Sequence, residues 1–464
     1  MNSLSLVSVE NFSIEEFGKY YRAGKITSEQ ITTSYLDRIA LLDEKLGSYE
    51  NVAAESALAS ARAMDLLIKA GVDLGPLMGV PVAIKDIFSI SNMPKPKVGS
   101  NIDLPDVCGS NEASFIQALR KAGCVFLGQT KAVELCLGIT GHSAPRGTPW
   151  NASDMNEHRV PGGSSSGSAV AVAAGLCAFA IGSDSGGSVR VPAAFNGIFG
   201  LKTTAGLWPV DGAFPLDPRV DSIGLLTKSA KDALLIFDTI SAIIFGCHYS
   251  PKSSGVKLGR STLGLPKNHF GENLNPEIHD LFLKTNNLLK NNGCIFEDIS
   301  VPEAPERAAY FPVSMPASLL ATLGKDHFIA QKHKMDPVIA KRIESGFEAK
   351  AHEFLALEQK RIHSMASVDQ KFIGFDAWVS PTTADFPPLV SDLEHPEKGM
   401  QLALGMTHNT QPANYLGLCA ISLPIPVTGL PVGYQLMGAA HTDRKLLELA
   451  VQIEETLSHS KESI

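Results

Sequence analysis

The sequence has no apolar run long enough to cross a membrane. Its longest candidates, residues 169–181 and 233–245, are shorter than the roughly 18 residues that a membrane helix needs, or are interrupted by polar side chains. The first 18 residues have no basic start and no long apolar centre, which argues against a secretory signal. We therefore expect a cytoplasmic protein that has no contact with a membrane.

Clustered positive charge and metal-binding patterns are also lacking. The chain carries 40 Lys and Arg against 48 Asp and Glu, a net charge of −8, and its basic residues are scattered. Nucleic-acid phosphates need clustered cations, so we expect no nucleic-acid partner. The 13 histidines show no H-E-x-x-H motif or other metal-ligand spacing. We predict no metal site and no cofactor.

The cysteines do not form a disulfide pattern. There are seven of them, an odd number, and no two are spaced as C-x-x-C. Several lie in apolar runs, among them Cys136 and Cys177. Buried free thiols in a reducing compartment are the expectation.

The chain does have a large apolar fraction, in alternating helical and strand-like segments. Of its 464 residues, 44% are hydrophobic and 19% charged, which indicates a large buried core. The alternation favours the α/β class. The predicted helices are 11–70, 112–122, 168–176, 276–291, most of 310–372, and 443–457. The predicted strands are 124–128, 178–182, 262–266, 294–301, 378–381, 420–426 and 432–437.

The segment 159–190 carries the strongest functional signal. It contains two Gly-Gly-Ser turns, ending at Ser164 and Ser188, and the run between them is long enough for one helix and one strand. Upstream, Lys85 ends the apolar run 79–84. Each Gly-Gly-Ser turn alone is as typical of an ordinary tight turn as of a catalytic site, and a lone lysine at a strand end is usually solvated. Together they are the parts of a Ser-Ser-Lys hydrolase.

Two other motifs fit the first glycine turn less well. Residues 163–167 match the G-x-S-x-G nucleophile elbow, which requires a strand directly before it. The preceding residues 156–161 are polar and end in proline, which disfavours the elbow. No Gly-Lys-Ser/Thr follows the turn, so a phosphate-binding loop is disfavoured as well.

The stretch from Gly79 to about Thr227 closely resembles the amidase signature family, and the resemblance is weakest from about 245 to 400. It implies a large mixed β-sheet core surrounded by α-helices, in a single domain over residues 1–464. The matching segments are 79–86, 161–168, 182–193, 200–203, 221–224 and 429–436. The regions implied are N-terminal helices in 1–70, a catalytic core in 75–245, a variable substrate-side region in 246–400, and a return to the core in 401–464.

The resemblance also implies a catalytic triad. Ser188 would be the nucleophile, Ser164 the bridging serine on a cis peptide after Gly163, and Lys85 the base, in an enzyme that cleaves amides through a seryl acyl-enzyme. A lysine can act as a base only when neutral, and its apolar approach favours that form. Asp86 would oppose it if its carboxylate pointed inward.

Further roles follow from the same motifs. The backbone N–H groups of Ser185, Gly186, Gly187 and Ser188 would form the oxyanion hole. Threonine is commoner in the family at the position of Ser185, but the backbone donor is retained. The expected supporting residues are Ser165 and Arg190.

The substrate is less constrained than the reaction. Glutamine-hydrolysing amidotransferase subunits of the family use an acidic residue in the segment that corresponds to 401–414, and this chain has no Asp or Glu there. Residues 336–337, 342–346 and 410–412 look more similar to the small-amide and carboxybiuret hydrolases of the family. Arg342 is a candidate to bind a substrate carboxylate, or else an ordinary helix-surface arginine.

Three functions therefore stay open. The first is a stand-alone amidase for a small amide or ureide, which releases ammonia or an amine. The second is a glutamine-hydrolysing subunit of a tRNA-dependent amidotransferase, and the third is a non-catalytic binding protein on the same fold. A small-molecule amide is the expected partner, and a homodimer is left open.

Overall fold

A computed structural model describes residues 12–109, 111–249 and 252–459. Within them, one mixed sheet of 11 strands forms the centre of the molecule. The strands are β1 Tyr49–Val52, β2 Pro81–Lys85, β3 Val125–Thr130, β4 Phe179–Asp184, β5 Phe199–Lys202, β6 Ser222–Thr227, β7 Thr262–Pro266, β8 Ile295–Ile299, β9 Ala377–Pro381, β10 Cys419–Ile425 and β11 Val432–Gly438.

The strands lie in the order β1-β3-β2-β4-β6-β5-β10-β11-β9-β7-β8. β2 is parallel to both β3 and β4, whereas the centre of the sheet, from β4 to β9, is antiparallel. Every residue of β2, β3, β6, β9 and β11 is buried, as expected for strands covered on both faces. The mixed α/β fold expected from the sequence is thus confirmed.

Fifteen α-helices of the described chain surround the sheet. They are α1 Ile14–Arg22, α2 Ser28–Leu46, α3 Ala54–Lys69, α4 Ser114–Lys121, α5 Ser166–Ala173, α6 Arg190–Phe195, α7 Ala230–Phe245, α8 Pro276–Asn291, α9 Arg307–Leu323, α10 Lys325–Gln331, α11 Pro337–Glu344, α12 Ala351–Lys371, α13 Pro396–Met406, α14 Gln411–Tyr415 and α15 Asp443–His459. None of them is both long and apolar enough to cross a membrane.

Local sequence signals explain where helices begin. Thr27 caps α2, because its hydroxyl accepts the N–H of Gln30 while the Gln30 side chain accepts the N–H of Thr27. The helical spacing of Ile31, Tyr35 and Ile39 then places these side chains in the core.

Two expectations about the first 200 residues need correction. The region 11–70 is interrupted by the strand β1, which pairs with β3. The small-residue helix expected at 168–176 is α5, which starts two residues earlier, directly after Ser165. Residue 11 lies outside the described residues.

Six cysteines with described side chains are free, and all but Cys108 are buried; the side chain of Cys247 is not described.

Candidate active site

Lys85 ends β2 and is fully buried between the neighbouring strands β3 and β4. Its Nζ donates hydrogen bonds to Ser164 Oγ at 2.8 Å and to Ser183 Oγ at 2.9 Å. Because Ser183 belongs to β4, the sheet holds both the amine and one of its acceptors. The sequence motifs predicted that Lys85 and Ser164 act together, but nothing in them singled out Ser183.

The environment of Lys85 favours its neutral form. Burial lowers the pKa of the amine, because the ammonium loses its hydration. Cys136, Asp221 and Asp184 lie close enough to oppose this effect. The net shift of the lysine pKa is downward, which is the direction that a lysine base requires.

Asp86 follows Lys85 in the chain, but its carboxylate is held by a different loop. It accepts the backbone N–H groups of Lys97 at 3.0 Å and Val98 at 3.1 Å. Burial raises the pKa of Asp86 to about 7. The carboxylate of Asp86 therefore accepts hydrogen bonds from the loop at 97–98 and not from the Lys85 amine.

The first glycine turn is joined to the second by hydrogen bonds. The Gly163–Ser164 peptide is cis, as the resemblance implies. The next residue, Ser165, donates its N–H to the carbonyl of Ser188 at 3.1 Å. Its hydroxyl exchanges hydrogen bonds of 3.2 Å with the backbone of Ser183. Ser165 therefore ties the two serine turns to β4, which fits the supporting role expected for it.

Ser188 lies on the turn between β4 and α6. Gly187 has a φ of +122°, and a Cβ there would lie 2.2 Å from Thr410 Oγ1, so the turn requires glycine. Asp184 at the end of β4 holds the turn in place. Its carboxylate accepts the N–H of Gly187 at 2.7 Å and that of Val189 at 3.1 Å.

This arrangement corrects one part of the expected oxyanion hole. The N–H of Gly187 donates to Asp184, so in this structure it does not point to a substrate oxygen. Of the four expected donors, the backbone N–H groups of Ser185, Gly186 and Ser188 remain as candidates. Two of these residues, Gly186 and Ser188, line one cavity of the described structure.

Arg190 forms a buried ion pair behind the turn. Its guanidinium donates two hydrogen bonds of 3.0 Å to Asp184, and further ones to the Thr410 carbonyl, Gln435 and Asn414. Burial pushes the pKa of Asp184 upward, but the charge and hydrogen bonds of Arg190 outweigh it and hold the pKa below its usual range. Arg190 thus positions the turn through Asp184.

A second buried carboxylate holds the start of the turn. The hydroxyl of Ser185 donates to Asp221, whose other oxygen accepts the N–H groups of Leu216 and Asp217, each at 3.0 Å. Burial raises the pKa of Asp221 to about 6. The hydroxyl of Ser185 therefore links the start of the turn to Asp221.

Ser188 opens into a cavity of about 450 Å³. One side is the glycine turn, and the other sides come from the loop 136–139 and from α9, α11 and α13. None of the described side chains that line it is acidic, and most are apolar. Two arginines, Arg307 and Arg342, are its charged members.

Arg342 is partly buried and lines this cavity. It donates a hydrogen bond of 2.8 Å to the carbonyl of Leu137. The helix α11 is fixed beside this loop because Glu134 accepts the N–H of Asp336 at 2.8 Å. Burial lowers the pKa of Arg342. Its guanidinium lies where a substrate carboxylate could reach it.

Comparisons with known proteins identify the family of the chain. The amidase family model matches residues 30–447. The chain belongs to the amidase family. It is 31% identical to the 2-amino-5-chloromuconic acid deaminase of Comamonas testosteroni, over 97% of this chain and 96% of that protein. It is 30% identical to the A subunit of the glutamyl-tRNA(Gln) amidotransferase from Symbiobacterium thermophilum, over 96% and 97%. A crystal structure of an amidase superposes with a TM-score of 0.86 at 26% identity, over 96% of this chain and 100% of that one.

Membership of the amidase family makes this protein an amide-hydrolysing enzyme. The third function considered from the sequence, a binding protein without catalysis, is therefore set aside. The resemblance of residues 79–227 to the family is confirmed and extends over most of the chain.

The fold of this amidase also assembles a group that the histidine spacing did not suggest. His269, Glu272 and His408 have possible ligand atoms within 4.8 Å of one another. However, Arg307 Nη2 lies 3.4 Å from His408 Nδ1, and the two imidazole rings are stacked at 3.9 Å. A neighbouring cation and parallel rings both oppose the convergence of lone pairs on a metal ion. We assign no metal to this group.

Sequence reasoning missed four contributors to the site, Ser183 and the three residues that follow. Asp184 lies inside a matched motif, and its position directly before the second glycine turn could have drawn attention to it. Asp221 begins another matched segment, but it lies 36 residues from its partner Ser185 in sequence, so no local pattern indicates their contact. Arg307 lies in the region of weakest resemblance, and no local signal marks it.

Proposed function

We propose that this protein hydrolyses a small amide or ureide through a seryl acyl-enzyme, with Ser188 as nucleophile, Ser164 as bridging serine and Lys85 as base. The observation that carries the proposal is the 2.8 Å contact between Lys85 Nζ and Ser164 Oγ in a fully buried site. A serine hydroxyl is a poor nucleophile at neutral pH, and an adjacent neutral base removes that obstacle.

We assign the proton route to Ser188, Ser164 and Lys85, and the contact of Lys85 Nζ with Ser164 Oγ supports the step between the last two. Lys85 accepts a proton through Ser164 as Ser188 attacks the substrate carbonyl. Ser164 then passes a proton to the leaving nitrogen, so that ammonia or an amine departs and an ester to Ser188 remains. Water attacks this ester in the second half of the reaction, and the same groups return the proton.

The negative charge that develops on the carbonyl oxygen needs donors in place before the reaction. We assign this role to the backbone N–H groups of Ser185, Gly186 and Ser188. Asp184 holds the turn from behind, so the donors do not have to reorganise. Ser165 and Arg190 are positioning residues in this scheme.

The cavity supports a small substrate. Its volume of about 450 Å³ lies toward the lower end of the range for small-molecule sites. Arg342, at its wall, is our proposed contact for a polar or anionic part of the substrate. The relative from Comamonas testosteroni is named for an acid substrate, which makes acidic amides a rational part of any test panel.

Glutamine hydrolysis within an amidotransferase is the second candidate, favoured by the similarity to the amidotransferase protein from Symbiobacterium thermophilum. Glutamine carries an ammonium group, and a buried ammonium needs an acidic or carbonyl partner. No described side chain of the cavity wall supplies a carboxylate. The geometry therefore favours the stand-alone amidase.

Ammonia release from primary amides, glutamine and biuret-type ureides tests the proposal. We expect the wild type to release ammonia and Ser188→Ala to reduce kcat by about 10⁴-fold or more. Ser56→Ala, at an exposed position of α3, is the matched control and should behave as wild type. Full activity of Ser188→Ala would contradict the assignment of the nucleophile.

A further inference from the structure

Arg307 is a buried arginine with only neutral partners among the described residues. It begins α9 and is 8% exposed. Its Nη1 donates to Gln411 Oε1 and, at 3.3 Å, to Thr407 Oγ1, while Nη2 lies 3.4 Å from His408 Nδ1. Its Nε has no hydrogen-bond partner in the part of the chain that the structure describes. A guanidinium in this position is incompletely satisfied.

The burial of this charge is unfavourable as it stands. Desolvation lowers the pKa of Arg307 to about 10, and no neighbouring carboxylate of the described chain offsets it. The side chain still carries its charge at neutral pH. Buried arginines are normally paired, because an isolated charge in an apolar region is costly.

Two other buried arginines, Arg190 and Arg361, differ from Arg307 in their partners and in their position relative to the cavity. Arg190 is paired with Asp184. Arg361 also has an unpartnered Nε, but it donates to the carbonyls of Arg219 and Asn414 and lies over the Tyr310 ring. Neither Arg190 nor Arg361 lines the catalytic cavity, whereas Arg307 does.

The position of Arg307 connects it to the reacting groups. Its acceptor Gln411 packs against the catalytic turn, since Gln411 Cγ would lie 3.3 Å from a Cβ at Gly186. Ser188 and Arg342 line the same cavity. A ligand bound at Ser188 therefore shares a small space with two cations and, among the described side chains, with no anion.

We infer that Arg307 binds a carboxylate of the substrate, so that the preferred substrates are acidic amides, such as the monoamides of short dicarboxylic acids. This inference rests on the proposed function, and it names the substrate class of the same site. The carboxylate completes the hydrogen bonds of a guanidinium that the protein leaves unpaired, and a planar guanidinium suits a carboxylate. Because ammonia is the leaving group of a primary amide, the carboxylate lies on the acyl part.

Matched substrate pairs provide the kinetic test. Succinamate and butyramide differ by a carboxylate in place of a methyl group, as do glutaramate and valeramide. We expect wild type to prefer the acidic member, and Arg307→Met to reduce the acidic-to-neutral ratio of kcat/KM by about 30-fold or more, chiefly through KM. Arg307→Lys should recover part of the preference, because the charge returns without the planar fork.

Arg361→Met is the matched control, since it removes a buried guanidinium that does not line the cavity. Its acidic-to-neutral ratio should equal that of wild type even if the variant is less stable. A wild type without preference for the acidic amides, or an equal loss of preference in both arginine variants, would overturn the inference while leaving amide hydrolysis intact.

A binding measurement separates this inference from the proposed reaction. Calorimetry with glutarate on Ser188→Ala needs no turnover, and binding there that is lost in Ser188→Ala/Arg307→Met would support the role of Arg307 even if no amide is cleaved. Binding of equal strength in both proteins, or no binding in either, would overturn it. Glutaramate also differs from glutamine only by the amino group, so cleavage of glutaramate in preference to glutamine supports an acidic amide, and the reverse preference argues against it.

Discussion

The two sides of the catalytic cavity are built on different principles. On the sheet side, around the turns at Ser164 and Ser188, charged groups are buried and paired: Arg190 with Asp184, and Asp221 with Ser185 and two backbone N–H groups. On the helical side, α9, α11 and α13 present a mainly apolar wall with two arginines, and the hydrogen-bond partners of these arginines among the described residues are neutral. In the function that we propose, the first side holds the reacting atoms in place and the second side binds the substrate.

The comparison makes a general prediction. Substitutions on the sheet side should affect every substrate alike, or the stability of the whole fold, because the groups there serve the protein's own geometry. Substitutions on the helical side should act on one class of substrate, mainly through KM.

The largest effect is expected at Lys85. Lys85→Met should reduce kcat by about a thousandfold for all substrates, because it removes the proposed base. Since burial places the pKa of Lys85 below that of a free lysine, wild-type activity should fall as the pH drops through that lowered pKa and the amine becomes protonated. Initial rates across pH should show this limb in wild type and not in the variant.

Lys202 provides the control for that pH profile. It is also fully buried, and burial together with the charge of Arg190 lowers its pKa to about 8. Its Nζ donates to the carbonyls of Thr203 and Leu418 instead of a reacting serine. Lys202→Met should leave the position of the limb unchanged. If the fall of activity at low pH shifts in Lys202→Met and persists in Lys85→Met, the assignment of Lys85 as the base is wrong.

A large loss of stability is expected at Asp184. Asp184→Asn leaves Arg190 buried without its anion and should lower the free energy of unfolding by about 3 to 5 kcal/mol, measured in urea. The native pKa of Asp184 is held low, so its contribution is present above the aspartate pKa of the unfolded chain and is lost as the pH falls.

The exposed pair of Arg22 and Asp73 is the reference for this measurement. Asp73→Asn removes an equivalent charge at the surface, where solvent screens the interaction, and should cost about 1 kcal/mol or less. Equal losses at the two sites would show that the buried pair behind the catalytic turn has no special structural role.

This contrast also explains what could be predicted from the sequence. The residues of the proposed triad lie on glycine turns and at a strand end, so short local patterns indicate them, and the fold class follows from the alternation of helical and strand-like runs. The edge strand β1 was not predicted, because its four residues lie between two helices and their strand conformation depends on pairing with β3. Arg307 was not predicted, because its proposed role depends on a property of its surroundings, the lack of a carboxylate neighbour among the described residues.

The smallest effect is expected at Arg342. Arg342→Met should raise KM for acidic amides by about five- to tenfold, or roughly 1 kcal/mol, because one of its donors is already occupied by the Leu137 carbonyl and the side chain is partly solvated. Its effect on kcat should be small, since it does not contact the reacting serines. Initial-rate kinetics with succinamate and butyramide would measure both quantities.

The double variant Arg307→Met/Arg342→Met then tests whether the two guanidiniums bind the same carboxylate. The quantity to compare is the loss in binding free energy of the double variant against the sum of the losses in the single variants. If both guanidiniums hold the same carboxylate, the losses in binding free energy will not add, because the second removal acts on a contact already weakened by the first. If each holds a different group, the losses will add, and a diacid amide with two free carboxylates should be cleaved better than succinamate. No loss in either single variant would mean that the helical wall excludes water without selecting charge, and that the contrast between the two sides of the cavity concerns packing alone.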